Sequence, residues 1–250
     1  MKRIVIIGGG AAGLMAACTA NYIYRNGGAE ITVIEKNERP ARKLMITGKG
    51  RCNVCNNCDI DTLIANVPEN GRFLYSAFSG FAPQDTMTFF ESLGVSLKTE
   101  RGNRVFPVSD KASDIVDALV KAAKRGGAEI IQGTAKKILT ENGAVSGVLL
   151  ENGEALPADS VILATGGMSY PLTGSTGDGY KIARALGHTI TEIKPSLVAL
   201  NAHEGFCERL AGLSLKNVAL SVFEESRKNL CFRSSAKYFL PISEYRDLWY

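Results

Sequence analysis

Three glycines, Gly8, Gly10 and Gly13, stand in the pattern G-x-G-x-x-G and carry the first chemistry in this chain. At that spacing one glycine makes a tight turn, the next lets backbone approach a diphosphate, and the third lets a helix lie against the preceding strand. The amide hydrogens that open such a helix have no acceptor inside it, and with the helix dipole they form an anion site. An acid, Glu35, follows Gly13 by roughly 20 positions, the separation at which a carboxylate reaches a ribose hydroxyl. Glycine-rich turns are common, so the hexad alone says little. With a strand before it, a helix after it and an acid closing a second strand, it specifies an adenine dinucleotide site, and these residues leave open which dinucleotide.

The elements that must hold these residues can be read from apolar patterning. Ile4, Val5, Ile6 and Ile7 form an all-apolar, β-branched run, as in a strand buried on both faces of a parallel sheet. Residues 14–24 have helical spacing, and Ile31 to Ile34 form a second apolar strand ending at Glu35. Residues 63–127 read as a helical insertion. One helix follows Phe81 to Asp85 and stops at Gly94, and residues 95–106 are extended, turning at Arg101-Gly102-Asn103. A second helix, 112–124, takes its cap from Ser109-Asp110. Glu129-Ile130-Ile131 resumes the sheet. Asn142-Gly143 and Asn152-Gly153 predict two type I′ turns in an antiparallel meander over 137–156. Ser160 to Leu163 reads as a buried strand opening into Ala164, Thr165, Gly166 and Gly167, small residues past which a cofactor can run close to backbone. Residues 173–179 are a third glycine-rich entry into a helix, 180–186.

Bulk properties narrow the class. A chain of 250 residues, 45% hydrophobic, can bury the core of one or two domains. The net charge of +4 is modest and the basic residues are scattered except from Lys36 to Arg51, which gives no nucleic-acid footprint. Met1-Lys2-Arg3 precedes a short apolar run broken by glycines, neither a signal peptide nor a membrane span, so the expected setting is cytoplasmic with no membrane partner. The six cysteines then read as free thiols. Cys52-x-x-Cys55-x-x-Cys58 lacks the fourth cysteine of an iron-sulfur run and any second pair for zinc, so no metal is expected. The only histidines, His188 and His203, are not assigned to acid-base chemistry, and no nucleophile elbow supports a hydrolase. The loop Thr47-Gly48-Lys49-Gly50-Arg51-Cys52-Asn53 is dense in glycine and cation; it either wraps a bound cofactor or is a solvated loop.

The glycine hexad with Glu35-Lys36, Arg42-Lys43-Leu44, the 47–53 loop, Arg104-Val105-Phe106-Pro107, Ala164-Thr165-Gly166-Gly167 and Thr176-Gly177-Asp178-Gly179-Tyr180 together resemble a bacterial family. It comprises the NAD(P)/FAD-dependent oxidoreductases called aminoacetone oxidase-like, in the glutathione-reductase-like superfamily of two-dinucleotide-binding flavoproteins. The similarity runs to about Val222, and this chain has Cys55 where the family has threonine. The resemblance implies an α/β, Rossmann-like FAD-binding domain with a parallel sheet, β-meander and helical insertion, followed by the start of a β-rich second domain. It implies FAD as resident cofactor and NAD(P)H as co-substrate. Gly8, Gly10, Ala12 and Gly13 would hold the pyrophosphate and Glu35, with Lys36 beside it, the adenosine ribose. Lys43, Thr47, Gly48, Gly50, Arg51, Cys52 and Asn53 would lie along the cofactor, with Ala135 near the adenine and Ala164 to Gly167 beside the flavin arm. No catalytic residue is carried over, because the isoalloxazine does the hydride chemistry.

By the same resemblance, residues 1–190 form the FAD-binding domain and 191–250 an incomplete β-rich insertion. From Phe232 aromatics become dense and no apolar period holds, and 235–250 permit a second reading frame that continues the family pattern. The expectation is a tail shifted in frame from about 230 and a truncated flavoprotein of unknown oligomeric state. The leading function is an FAD-dependent oxidoreductase acting with NAD(P)H on an unidentified small organic substrate. The alternatives are a dehydrogenase domain with NAD alone, against which the Thr-Gly-Gly strand and basic loop speak, and a non-catalytic dinucleotide-binding fragment.

Overall fold

The computed structural model describes residues 1–25, 27–195, 209, 214–223 and 230–239. Its first unit, Met1–Glu192, is built on a parallel sheet. In chain order its elements are β1 (Lys2–Ile7), α1 (Ala11–Ile23), β2 (Ala29–Glu35), α2 (Arg42–Ile46), α3 (Ile60–Ala65), α4 (Tyr75–Gly80), α5 (Pro83–Ser92), β3 (Leu97–Glu100), β4 (Arg104–Pro107), α6 (Ala112–Arg125), β5 (Glu129–Gln132), β6 (Ala135–Glu141), β7 (Ala144–Leu150), β8 (Ala155–Pro157), β9 (Ser160–Leu163) and α7 (Asp178–Ala185).

The sheet order is β5-β2-β1-β9, all parallel, with Ile6 beside Val33 on one side and Ile162 on the other. Side chains alternate along a strand, so the all-apolar run Ile4–Ile7 of β1 requires cover on both faces. Ile4 and Ile6 pack with Leu14 and Ala17 of α1 and with Ile115, Val116 and Leu119 of α6. Val5, Ile7 and Ile34 face the other way, against Val148 and Leu150 of the meander β6-β7-β8 and Ala158. The result is three layers: helices, parallel sheet, antiparallel meander. Small residues bring α1 and α6 together; Ala17 and Ala123 are fully buried, and Asn21 donates to the Ala123 carbonyl at 2.9 Å. Leu14, fully buried behind the glycine turn, anchors α1, and its truncation to alanine would cost about 2–5 kcal/mol.

Several local expectations change. Asp110 does not cap α6: the N-cap is Lys111, without a side-chain cap, and the Asp110 carboxylate accepts from Lys98 and Arg51 instead. The turn at Asn142-Gly143 has both residues at positive φ, 51° and 77°, as type I′ requires, but the Asn152-Gly153 connection does not. There four residues separate β7 from β8, positive φ is needed only at Gly153, and the Asn152 side-chain Oδ1 accepts from the Glu154 amide. Strand β9 is not buried: Ile162 and Leu163 are each 38% exposed, because among the described residues β9 pairs only with β1. Helix α7 begins two residues earlier than the patterning indicates, at Asp178.

The second unit, Ile193–Tyr250, contains β10 (Ser214–Phe223) and β11 (Leu230–Phe239), paired antiparallel with register shifts between Leu215 and Val218 and between Val222 and Phe223. The sequence-predicted frame change begins within β11; the rest of that tail, residues 240–250, lies outside the described residues, as do His203 and Cys207. Among the described residues no helix is long and apolar enough to cross a membrane.

Candidate functional site

The C-terminal ends of β1, β2 and β9 open into a cavity of about 600 Å³, within the range of small-molecule and cofactor sites. The turn from β1 to α1 contributes Gly8, Gly10 and Ala12 to its lining; the end of β2 contributes Glu35 and Lys36. Lys43 comes from α2, with Thr47 just beyond it; Ala135 opens β6, and Ala164, Thr165 and Gly166 follow β9.

Gly8 has φ +108°, and a Cβ there would collide with the Ala164 carbonyl, so the turn closes only without a side chain. Its amide donates to Ile34 at 2.8 Å and the Ala164 amide donates to Ile7 at 2.8 Å, which knits the ends of the three strands. Gly13 is walled in by the Gly8 carbonyl, and this contact lets α1 start directly above β1. Gly10 is the reverse case: a Cβ there would meet nothing within 4 Å, and the space it leaves belongs to the cavity. Gly10 is also the N-cap of α1, with no side-chain cap and no acid in the first turn. The opening amides of this 13-residue helix are therefore available to an anion.

Glu35 is 7% exposed and lies beneath this turn. Its Oε2 accepts from the Gly9 amide at 2.9 Å. Its Oε1 accepts from the Asn37 amide at 2.8 Å and from Asn37 Nδ2 at 2.6 Å. Opposite, Lys36 Nζ donates to Asp178 Oδ2 at 2.8 Å and Thr176 Oγ1 at 2.7 Å, joining the end of β2 to the segment that enters α7. The Asp178 carboxyl is held below its usual value, first by the hydrogen bond from Lys36. Lys43 donates to the Ser169 carbonyl and to Ser175 Oγ, both at 2.7 Å, and among the described residues it makes no ion pair. Burial pushes the Lys43 ammonium down from its usual value. A half-sheltered cation facing only neutral oxygens leaves its charge to be answered by whatever enters the cavity.

Other sequence-selected residues lie elsewhere. Gly13, Gly48, Gly50, Arg51, Cys52, Asn53 and Gly167, expected along the cofactor, do not line this cavity. Arg51 turns to the β3-β4 hairpin: it contacts Glu100 at 2.8 Å and Asp110 at 3.1 Å and stacks 4.0 Å over the Phe106 ring. Cys52 is 1% exposed, and with its amide nitrogen turned inward Asn53 donates to the Val105 and Cys55 carbonyls. The 47–53 loop thus fastens α2 to the hairpin, and only Thr47 reaches the cavity. Cys55 donates to the Pro83 carbonyl at 3.8 Å, and burial pushes its thiol up to about 11. Among the described residues no group of three or more His, Cys, Asp or Glu could hold a metal ion. His188 is exposed and lies outside the cavity lining.

Asn37, Arg42, Ser175 and Asp178 also line the cavity and were not selected from sequence. Asn37 had a readable signal: an amide two positions after the acid, able to hydrogen-bond back to it. Ser175 and Asp178 lie in a loop noticed for its glycines, but only the fold brings it across to β2.

Comparison with known proteins gives the following. The family described as HI0933-like protein Rossmann domain matches residues 2–233. The 3-dehydro-bile acid delta(4,6)-reductase of Clostridium scindens is 36% identical over 214 residues, 85% of this chain and 51% of that protein. The ribosomal RNA dihydrouridine synthase of Escherichia coli is 29% identical over 252 residues, 96% of this chain and 60% of that one. Among solved structures, L-proline dehydrogenase from P. horikoshii aligns with a TM-score of 0.47 at 16% identity, over 74% of this chain and 56% of that chain. The chain spans about half the length of the curated relatives it matches.

Proposed function

This chain belongs to the HI0933-like Rossmann-domain family, and on that premise we propose that it is the dinucleotide-binding part of an FAD-dependent oxidoreductase. The observation that carries the reading is the cavity over the glycine turn, lined by the bare opening amides of α1, the buried Glu35 carboxylate and Lys43, whose ammonium makes no ion pair among the described residues. Diphosphate chemistry fits this donor set: Gly10 leaves room at the helix start, no acid stands in the first turn, and Arg42 and Lys43 supply positive charge. In this reading the amides of Ala11 and Ala12 bind the pyrophosphate, Glu35 receives a ribose hydroxyl, and Ala135 lies beside the adenine. Ala164 to Gly166, without bulky side chains, flank the remainder of the cofactor. When bound, the flavin supplies hydride acceptance and donation, and the protein supplies placement and field.

NAD(P)H is proposed as the electron source and a small organic molecule as the partner substrate. The reductase name of the Clostridium scindens relative supports the redox direction. The finer placement among aminoacetone oxidase-like flavoproteins rests on the 47–53 loop and the Thr-Gly-Gly segment. A cytoplasmic setting accords with Cys18, Cys52, Cys55 and Cys58 being free thiols. The test is an absorbance spectrum and FAD-fluorescence titration of the purified chain. Saturable quenching with flavin bands retained after desalting is the expected result. Binding of NAD with no binding of FAD would overturn the assignment.

A further inference from the structure

In a dinucleotide bound in this cavity, the way the sugar is held turns on Asn37. A carboxylate offers about four acceptor positions. Three of those on Glu35 are already filled from within the protein: Oε1 takes both the backbone amide and Nδ2 of Asn37, at 2.8 and 2.6 Å, and Oε2 takes the Gly9 amide at 2.9 Å.

The Asn37 side chain is not free to turn away. Its Nδ2 also donates to the Thr173 carbonyl at 3.2 Å, while its Oδ1 accepts from Arg42 Nη1 at 3.2 Å. Rotating the amide would set nitrogen against the Arg42 guanidinium and oxygen against two acceptors. The loop after Thr173 is shaped to this amide: Gly174 has φ +101°, and a Cβ there would lie 2.6 Å from Asn37 Nδ2. Gly9 is similarly close, since a Cβ on it would lie 3.1 Å from Glu35 Oε2. Two glycines and three donors thus fix the acid in one pose.

We propose that Asn37 is a positioning and specificity residue: it occupies the second acceptor position of Glu35 Oε1, so that the acid receives one ribose hydroxyl of an adenine nucleotide rather than the 2′,3′-diol. This rests on the dinucleotide reading above but is separable from it. Removing the side chain frees a position on Oε1, and the acid can then grip both hydroxyls.

The experiment compares ADP, 2′-deoxy-ADP and 3′-deoxy-ADP as calorimetric probes of the whole chain, wild type and Asn37→Ala. In the wild type one deoxy analogue should bind within about twofold of ADP and the other about tenfold or more weaker, the scale of one hydrogen bond to a charged acceptor. In Asn37→Ala both analogues should weaken relative to ADP, and the ratio between them should fall below about threefold, by the same scale. A merely structural Asn37 would weaken all three probes together and leave that ratio unchanged. Equal loss with both analogues in the wild type, or a ratio unaltered by the substitution, overturns the inference while leaving ADP binding, and so the dinucleotide reading, in place. No ADP binding to the wild type overturns both. If Asn37→Ala fails to fold, Asn37→Ser, which is smaller and still polar, repeats the ratio test.

Discussion

Glu35→Gln separates the carboxylate's structural role from its place in the cavity. Glutamine has the same shape but one acceptor oxygen and one amide donor. If its oxygen faces the two Asn37 donors, its NH₂ group faces the Gly9 amide, donor against donor, in a site where the native residue is 7% exposed. The reverse orientation loses two bonds instead of one. Losing a hydrogen bond to a charged acceptor costs about 1.5–3 kcal/mol, and the remaining bonds lose their charge assistance, so a total near 2–4 kcal/mol is expected. For a folding unit of this size that lowers Tm by roughly 5–15 °C. The assay is thermal unfolding at neutral pH, with Glu30→Gln, on the exposed side of the same strand, as control; its effect should stay within about 0.5 kcal/mol. A Glu35→Gln melt within a degree of wild type would mean that the acid does not hold the glycine turn, and the geometry argued for the cavity would be wrong.

Acid should loosen the 173–178 segment. The Asp178 carboxyl lies below its usual 3.8 in the folded chain, so its stabilisation is complete above that value and is lost as pH falls through the lower folded value. Urea midpoints measured from pH 5 to pH 2.5 should therefore fall more steeply for wild type than for Asp178→Asn. Cys55, with its thiol near 11, is only about one part in a thousand thiolate at pH 8, so its alkylation by iodoacetamide should be slow there and rise about tenfold per pH unit up to pH 10, read by peptide mass spectrometry. Arg51→Lys keeps the charge but loses the fork that spans Glu100 and Asp110 and the stack on Phe106, and should lower stability by about 1–2 kcal/mol in chemical denaturation. A loss below about 0.3 kcal/mol would show that the loop's attachment to the hairpin does not depend on the guanidinium.

The sequence by itself determined the dinucleotide unit. The apolar run Ile4–Ile7 of β1 demands cover on both faces, Gly8 and Gly13 sit where a turn admits backbone but not side chains, and an acid at the end of β2 has one place to point. These are local constraints of period, sterics and chain geometry, so Gly8, Gly10 and Glu35 could be selected before any fold was known, whereas Ala12 came from the family resemblance. The helical insertion and the first Asn-Gly turn were legible for the same reason. What only the tertiary structure decided was the use of groups whose partners are distant in sequence. Arg51, in a loop that locally reads as either a cofactor wrap or a solvated loop, and Asp110, which reads locally as a helix cap, meet each other and Glu100 because the β3-β4 hairpin folds over the 47–53 loop. Lys36 finds Asp178, Lys43 finds Ser175, and Asn37 is locked by Thr173 and Gly174, because β9 lies beside β1 and delivers the following loop to the end of β2. No local pattern records such a meeting: a charge or an amide in a loop is indifferent to its partner until the strand order brings the two within hydrogen-bond reach.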